Sequence, residues 1–188
     1  QDAVYQPTRK PAYKAPPPAP KSAADKPDWL YQWFGERAIG ARVVDKLGIY
    51  AGRRWIPGPG EVDCIVFPYV SGGQVVNRKY RSRVGKAMAQ EKDALPTLYN
   101  IDAIEGAETV TWAEGEADIA ALMECGIDAA VTLKDGAPAN AALETDPDAK
   151  RFAALKTHSD ILSKVKRFIL AGDMDKPGLA LRGSFRSS

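Results

Sequence analysis

Thr109-Val110-Thr111-Trp112-Ala113-Glu114-Gly115-Glu116 lies just past the midpoint of a 188-residue chain, and its pattern decides the fold. Five β-prone residues run straight into a carboxylate, a glycine and a second carboxylate. Ile119-Ala120-Ala121-Leu122-Met123 then reads as a helix closed near Gly126. Ala129-Ala130-Val131-Thr132-Leu133 is a second β-prone run, ending at Lys134-Asp135-Gly136-Ala137-Pro138. Residues 148–166 read as mostly helical. Arg167-Phe168-Ile169-Leu170-Ala171-Gly172 is a third strand, ending at Asp173-Met174-Asp175-Lys176-Pro177-Gly178. This strand–helix alternation predicts an α/β unit, a parallel sheet with right-handed crossovers and flanking helices.

Two of the three strands end in carboxylates. Ligands of open α/β sheets sit beyond the carboxyl ends of the strands, so Glu114 and the Asp173/Asp175 pair are placed to converge there. Mg²⁺ prefers hard oxygen ligands and keeps several waters, so these three carboxylates are candidate cation ligands. Gly115 and Gly172 beside them permit tight turns. A second use of the acids stays open at this level: Glu116, Asp118 and Asp175 favour nearby helix N-termini through the macrodipole.

Upstream, Trp29-Leu30-Tyr31-Gln32-Trp33-Phe34 is dense in aromatics, read as core rather than as a base-stacking platform. Ile39, Val43, Val44 and Leu47 follow at helical spacing, with Gly48 as C-cap. Residues 55–60, WIPGPG, read as a turn. Residues 64–69 and 74–80 are strand-like, and Ser71-Gly72-Gly73 between them predicts a hairpin. The result is a small α+β lobe ahead of the parallel sheet.

Charge is unevenly spread. The formal net charge of +2 comes from 26 basic and 24 acidic side chains. Arg78, Lys79, Arg81, Arg83 and Lys86 fall within nine residues that contain no acid, whereas residues 93–133 hold nine acids and no Lys or Arg. Basic strips bind phosphates, and either block alone also reads as a solvated face.

Residues 1–28 contain seven of the 14 prolines and few large apolar groups, too little to offset the entropy of ordering. They read as a disordered Pro-rich tether. The predicted division is therefore a linker over 1–28, an N-terminal lobe over 29–106 and a second lobe over 107–188. No apolar run approaches the roughly 18–20 residues of a membrane span. Gln1 opens no charged-then-apolar leader, and its place where Met would stand reads as a fragment, a processed chain or an engineered start. Cys64 and Cys125 are too far apart for a CxxC site and are read as buried thiols, while the single histidine, His158, is read as a surface residue. A reducing, cytoplasmic setting fits this usage.

The order of these motifs resembles the Toprim domain, the fold shared by primases, type IA and type II topoisomerases and some nucleases. The carriers are residues 110–118, VTWAEGEAD, and residues 169–178, ILAGDMDKPG. With Lys79-Tyr80-Arg81-Ser82-Arg83, Lys86 and Leu98-Tyr99-Asn100 upstream, and the amphipathic start at 29–50, the chain is similar to the phage-type (Twinkle-like) primase-helicases over roughly residues 29–180. The resemblance implies that Glu114 is a metal ligand or general acid/base. It implies that Asp173 and Asp175 hold Mg²⁺, as one or two ions with Mn²⁺ as a substitute. Lys79, Arg81 and Lys86 match positions that bind nucleotide or template phosphates, with Arg78 and Arg83 in the same strip. The implied reaction is synthesis of short RNA primers on single-stranded DNA from ribonucleoside triphosphates. The implied partners are an upstream zinc-binding module and a downstream helicase domain.

Departures from the pattern define the alternatives. There is no GxxxxGK[ST] phosphate loop in this chain, and its residues hold no zinc-binding module. Beyond the DxD, the family continues into another strand with a further acidic motif, where this chain reads Leu179-Ala180-Leu181-Arg182-Gly183-Ser184. The expectation is a C-terminally truncated second lobe. The other readings are a catalytically incomplete Toprim module that binds DNA or a replisome partner, and a fragment of a Toprim nuclease or topoisomerase.

Overall fold

The computed structural model describes residues 13–19, 26–133 and 153–172. Helix α1 (Asp28–Gly35) buries Leu30 and Phe34, one turn apart on a single face. Helix α2 (Ala41–Lys46) buries Val43 and Val44. Its end explains the predicted C-cap. Gly48 adopts φ +64°, its N–H donates to the Asp45 carbonyl at 3.0 Å, and the Ile49 N–H donates to the Val44 carbonyl at 3.0 Å. That pair of bonds is a Schellman turn, and it delivers Ile49 into the core.

Four antiparallel strands follow in the order β1 (Tyr50–Ile56), β2 (Gly60–Ser71), β3 (Gln74–Ser82) and β4 (Met88–Gln90). The β2–β3 hairpin turns at Gly72 and Gly73, both at positive φ, as a two-residue primed turn requires. Strand β1 corrects the sequence reading. Trp55 and Ile56 pair with Glu61 and Gly60, so the turn is confined to residues 57–59. Gly52 and two arginines had masked the strand pattern, although Ile56 is buried and Trp55 exposed as alternation demands.

A 3₁₀ turn (Ile101–Ile104) leads into the second sheet. Its strands β5 (Thr109–Ala113), β6 (Ala130–Thr132) and β7 (Arg167–Ala171) are all parallel, in the order β6-β5-β7 among the described residues. Helix α3 (Glu116–Glu124) makes the crossover from β5 to β6. The predicted 148–166 helix is two short pieces where it is described, α4 (Ala153–Thr157) and α5 (Ser159–Leu162), broken at His158. The loop 134–138 lies outside the described residues. The α/β architecture, with a parallel sheet behind a small α+β lobe, is as the sequence predicts.

The largest core cluster joins the two lobes. Leu30, Phe34, Ile65, Phe67 and Tyr69 pack with Tyr99, Ala113, Ile119, Met123 and Ala130. The α1 aromatics enter it unequally: Phe34 is buried, while Trp29 and Trp33 lie against its edge. Two other readings are corrected. Cys125 is exposed because it caps α3 at the surface, whereas Cys64 is buried in β2. His158 is buried, with its Nε2 2.6 Å from the Thr97 hydroxyl, because the break between α4 and α5 turns it inward.

Candidate active site

Parallel pairing sets the site. Ala113 of β5 lies opposite Ala171 of β7, so both strands finish together, and Glu114 and Gly172 are the next residues of adjacent strands. Glu114 is half-buried at this edge, and Gly115 then gives the extended backbone that starts α3. Asp173 and Asp175 lie outside the described residues. Among the described residues no three His, Cys, Asp or Glu side chains form a metal-holding group. A divalent cation suits the chemistry of this edge, because Glu114 offers hard oxygen donors where the chain toward two further aspartates leaves the sheet.

Glu116 is not the exposed helix-start acid that the macrodipole alone would explain. It is 5% exposed and accepts from the Lys79 ammonium at 2.9 Å (Oε1) and 3.0 Å (Oε2). The Tyr69 hydroxyl donates to the same Oε1. Lys79, Tyr69 and Glu116 come from β3, β2 and α3, so this cluster ties the basic strand to the turn that carries Glu114. Tyr99 stacks edge-on against Tyr69, with centroids 5.1 Å apart. Its buried hydroxyl has no hydrogen-bond partner among the described residues. Burial, and secondarily the Glu116 charge, hold that phenol well above its ordinary range.

Strand alternation splits the five basic residues. Lys79 and Arg81 pair with Phe67 and Ile65 of β2, so they share the face that packs on α1 and α3. Arg81 lies over the Trp33 ring at 5.4 Å, and its Nε is buried without a partner among the described residues. Burial, then the nearby Arg37, pull its guanidinium below the usual arginine value. Arg83 covers Trp29 at 4.7 Å, and Arg37 covers Trp33 at 3.6 Å. Arg78 is on the opposite face, buried, with Glu91 3.7 Å away. Glu91 also accepts from the Tyr80 hydroxyl and from Arg54 at 3.3 Å. Lys86 is exposed in the turn between β3 and β4.

Sequence reading found the basic strip and missed its acidic partners. Alternation along β3 already separates Arg78 from Lys79 and Arg81, and that signal was available. Nothing in the spacing announced that Lys79 would bury against Glu116, 37 residues away.

No protein-family model matches the chain. Two curated proteins of Arabidopsis thaliana are similar to it. One is a primase homolog protein, 31% identical over 157 residues, which are 82% of this chain and 45% of that protein. The other is a Twinkle homolog protein, chloroplastic/mitochondrial, 32% identical over 157 residues, 82% of this chain and 21% of that protein. The chain thus spans less than half the length of either relative. Among solved structures, the primase fragment of the bacteriophage T7 primase-helicase protein superposes with a TM-score of 0.58 at 21% identity, covering 79% of this chain and 56% of that one.

Proposed function

We propose that this chain, which has the Toprim-type primase fold of the Twinkle-like proteins it matches, is a DNA primase domain that makes short RNA primers on single-stranded DNA. One observation carries the reading: β5 and β7 finish in register, so Glu114 and Gly172, the residue before Asp173 in the sequence, leave the sheet side by side. If Asp173 and Asp175 join Glu114 there, the carboxylates suit a reaction in which a 3′-hydroxyl attacks the α-phosphate of a ribonucleotide and pyrophosphate leaves. Glu114, Asp173 and Asp175 would hold Mg²⁺, as one ion or two, and the bound ion would offset charge building on the phosphate oxygens. Arg81, Arg83 and Lys86 bind template or nucleotide phosphates beside it, with Lys79 held at the inner end of the strip. Arg78, neutralised by Glu91 on the far face, braces the sheet. Template affinity falls steeply with salt, because cationic contacts supply it.

The same reading divides the chain into an N-terminal lobe over 29–106 and a Toprim lobe from 107 onward. It also gives the full protein a helicase partner, as in the T7 relative. Among the described residues no helix is long and apolar enough to cross a membrane.

The test is primer synthesis by the 188-residue chain on single-stranded DNA with ribonucleotides and Mg²⁺, beside Asp173→Ala. The expected result is short RNA from the parent chain and a loss of about 100-fold or more in the variant. Equal product from both, or none from the parent, contradicts the proposal.

A further inference from the structure

We infer that Glu116 is a positioning residue: it holds Lys79, beside Arg81, in place for the phosphates of a nucleoside triphosphate, and is not itself a cation ligand. The inference rests on the primase reading and adds a division of labour between two acids only two residues apart.

Glu114 and Glu116 look alike in sequence but not in space. Both carboxylate oxygens of Glu116 are engaged, by the Lys79 ammonium at 2.9 and 3.0 Å and by the Tyr69 hydroxyl. A buried carboxylate that accepts three hydrogen bonds in this way is committed to its neighbours. Lys79 gains a fixed position. A free lysine carries four rotatable bonds, and an ammonium that binds phosphate from a mobile stem loses that freedom on binding. Held by Glu116 and buried opposite Phe67 of β2, Lys79 is ordered beforehand, so less entropy is lost when a phosphate arrives.

Arg81 supplies an independent pointer to an anion. It is two residues along the same face of β3, and its Nε is a buried donor without an acceptor among the described residues. Buried donors are nearly always satisfied, so an orphan beside a prepared ammonium fits an acceptor-rich ligand. Triphosphate oxygens have that chemistry. A buried ion pair is weak evidence for stability, which makes retention of this one easier to explain by placement of charge.

The test measures two affinities directly on the 188-residue chain, without primer synthesis: Mn²⁺ by electron paramagnetic resonance, and a fluorescent ATP analogue by anisotropy. Glu116→Gln should keep Mn²⁺ affinity within about twofold and weaken the ATP analogue about tenfold, with Glu116→Asp intermediate. Glu114→Gln should lose Mn²⁺ binding. Glu116→Gln losing Mn²⁺ as fully as Glu114→Gln overturns the inference, as does an unchanged affinity for the analogue. If Glu116→Gln does not fold, Tyr69→Phe decides, since it removes one hydrogen bond and no charge. A loss of about threefold for the analogue with Mn²⁺ unchanged supports positioning, and no loss refutes it. A parent chain that binds neither probe overturns the primase reading itself, whereas binding that the Glu116 and Tyr69 variants leave intact overturns only this inference.

Discussion

Lys79 and Glu116 are both nearly dry, and at that depth a lone charge is far costlier than a pair. Lys79→Met is expected to destabilise the fold by about 3–5 kcal/mol in urea unfolding, because the Glu116 carboxylate stays behind uncompensated. Adding Glu116→Leu to that variant should recover most of the loss. His158 provides a second test at this scale. Burial holds its imidazole below the ordinary value of 6.5 and outweighs the opposing Asp102 charge. The unfolded chain therefore takes up the proton first as pH falls. The contribution of a neutral His158 is complete above the unfolded value and declines as pH drops through about 6.5 toward the lower folded value. Urea midpoints should fall more steeply between about pH 7 and pH 5 for the parent than for His158→Gln. An equal slope would contradict the buried assignment. Individual charges were legible from the chain, but their partners were not. Arg78 and Lys79 are neighbours in sequence, yet alternation sends one to Glu91 and the other to Glu116.

Elements were easier to read than side-chain partners wherever their pattern was local. The β2–β3 hairpin and the end of α2 both followed from glycines, which adopt positive φ without the steric cost of a Cβ. Strand β1 was lost because Gly52 and two arginines interrupt its apolar alternation, and its pairing with β2 is what makes it a strand. The helix after β6 was overextended, because apolar periodicity says nothing of a break that turns His158 inward to Thr97. One contact docks the hairpin on the 3₁₀ turn that leads into the second sheet. The Gly72 and Gly73 N–H groups donate to the two Asp102 carboxylate oxygens at 2.8 and 2.9 Å. Asp102→Ala should cost about 1–2 kcal/mol in thermal unfolding, and Asp102→Asn less, since the amide keeps one acceptor.

At the scale of the molecule, the predicted boundary near residue 106 separates elements but not cores. Edge-to-face contacts run from Phe34 to Phe67 at 6.3 Å, from Phe67 to Tyr99 at 6.1 Å, and from Tyr99 to Tyr69 at 5.1 Å. This ladder runs through the N-terminal lobe, and Ala113, Ile119, Met123 and Ala130 of the second lobe pack into the same cluster. Phe67→Ala is expected to cost about 3–5 kcal/mol. Both lobes should still unfold together, with tryptophan fluorescence and far-ultraviolet circular dichroism giving coincident transitions. Two separated transitions would contradict a shared core. The strand–helix–strand order was visible in the chain because each element carries its own periodicity. The shared core was not, since it depends on which faces meet.

The account stands on one proposed arrangement: Glu114 and the Asp173/Asp175 pair, distant along the chain, would share a cation beyond the paired ends of β5 and β7. Loading the protein with Fe²⁺ and adding ascorbate and peroxide cuts the backbone beside the bound ion. The account predicts two cuts in the same molecules, one next to Glu114 and one next to Asp173, both suppressed by excess Mg²⁺ and both lost in Glu114→Gln. A single cut, or cutting near Asp173 that survives Glu114→Gln unchanged, would contradict it.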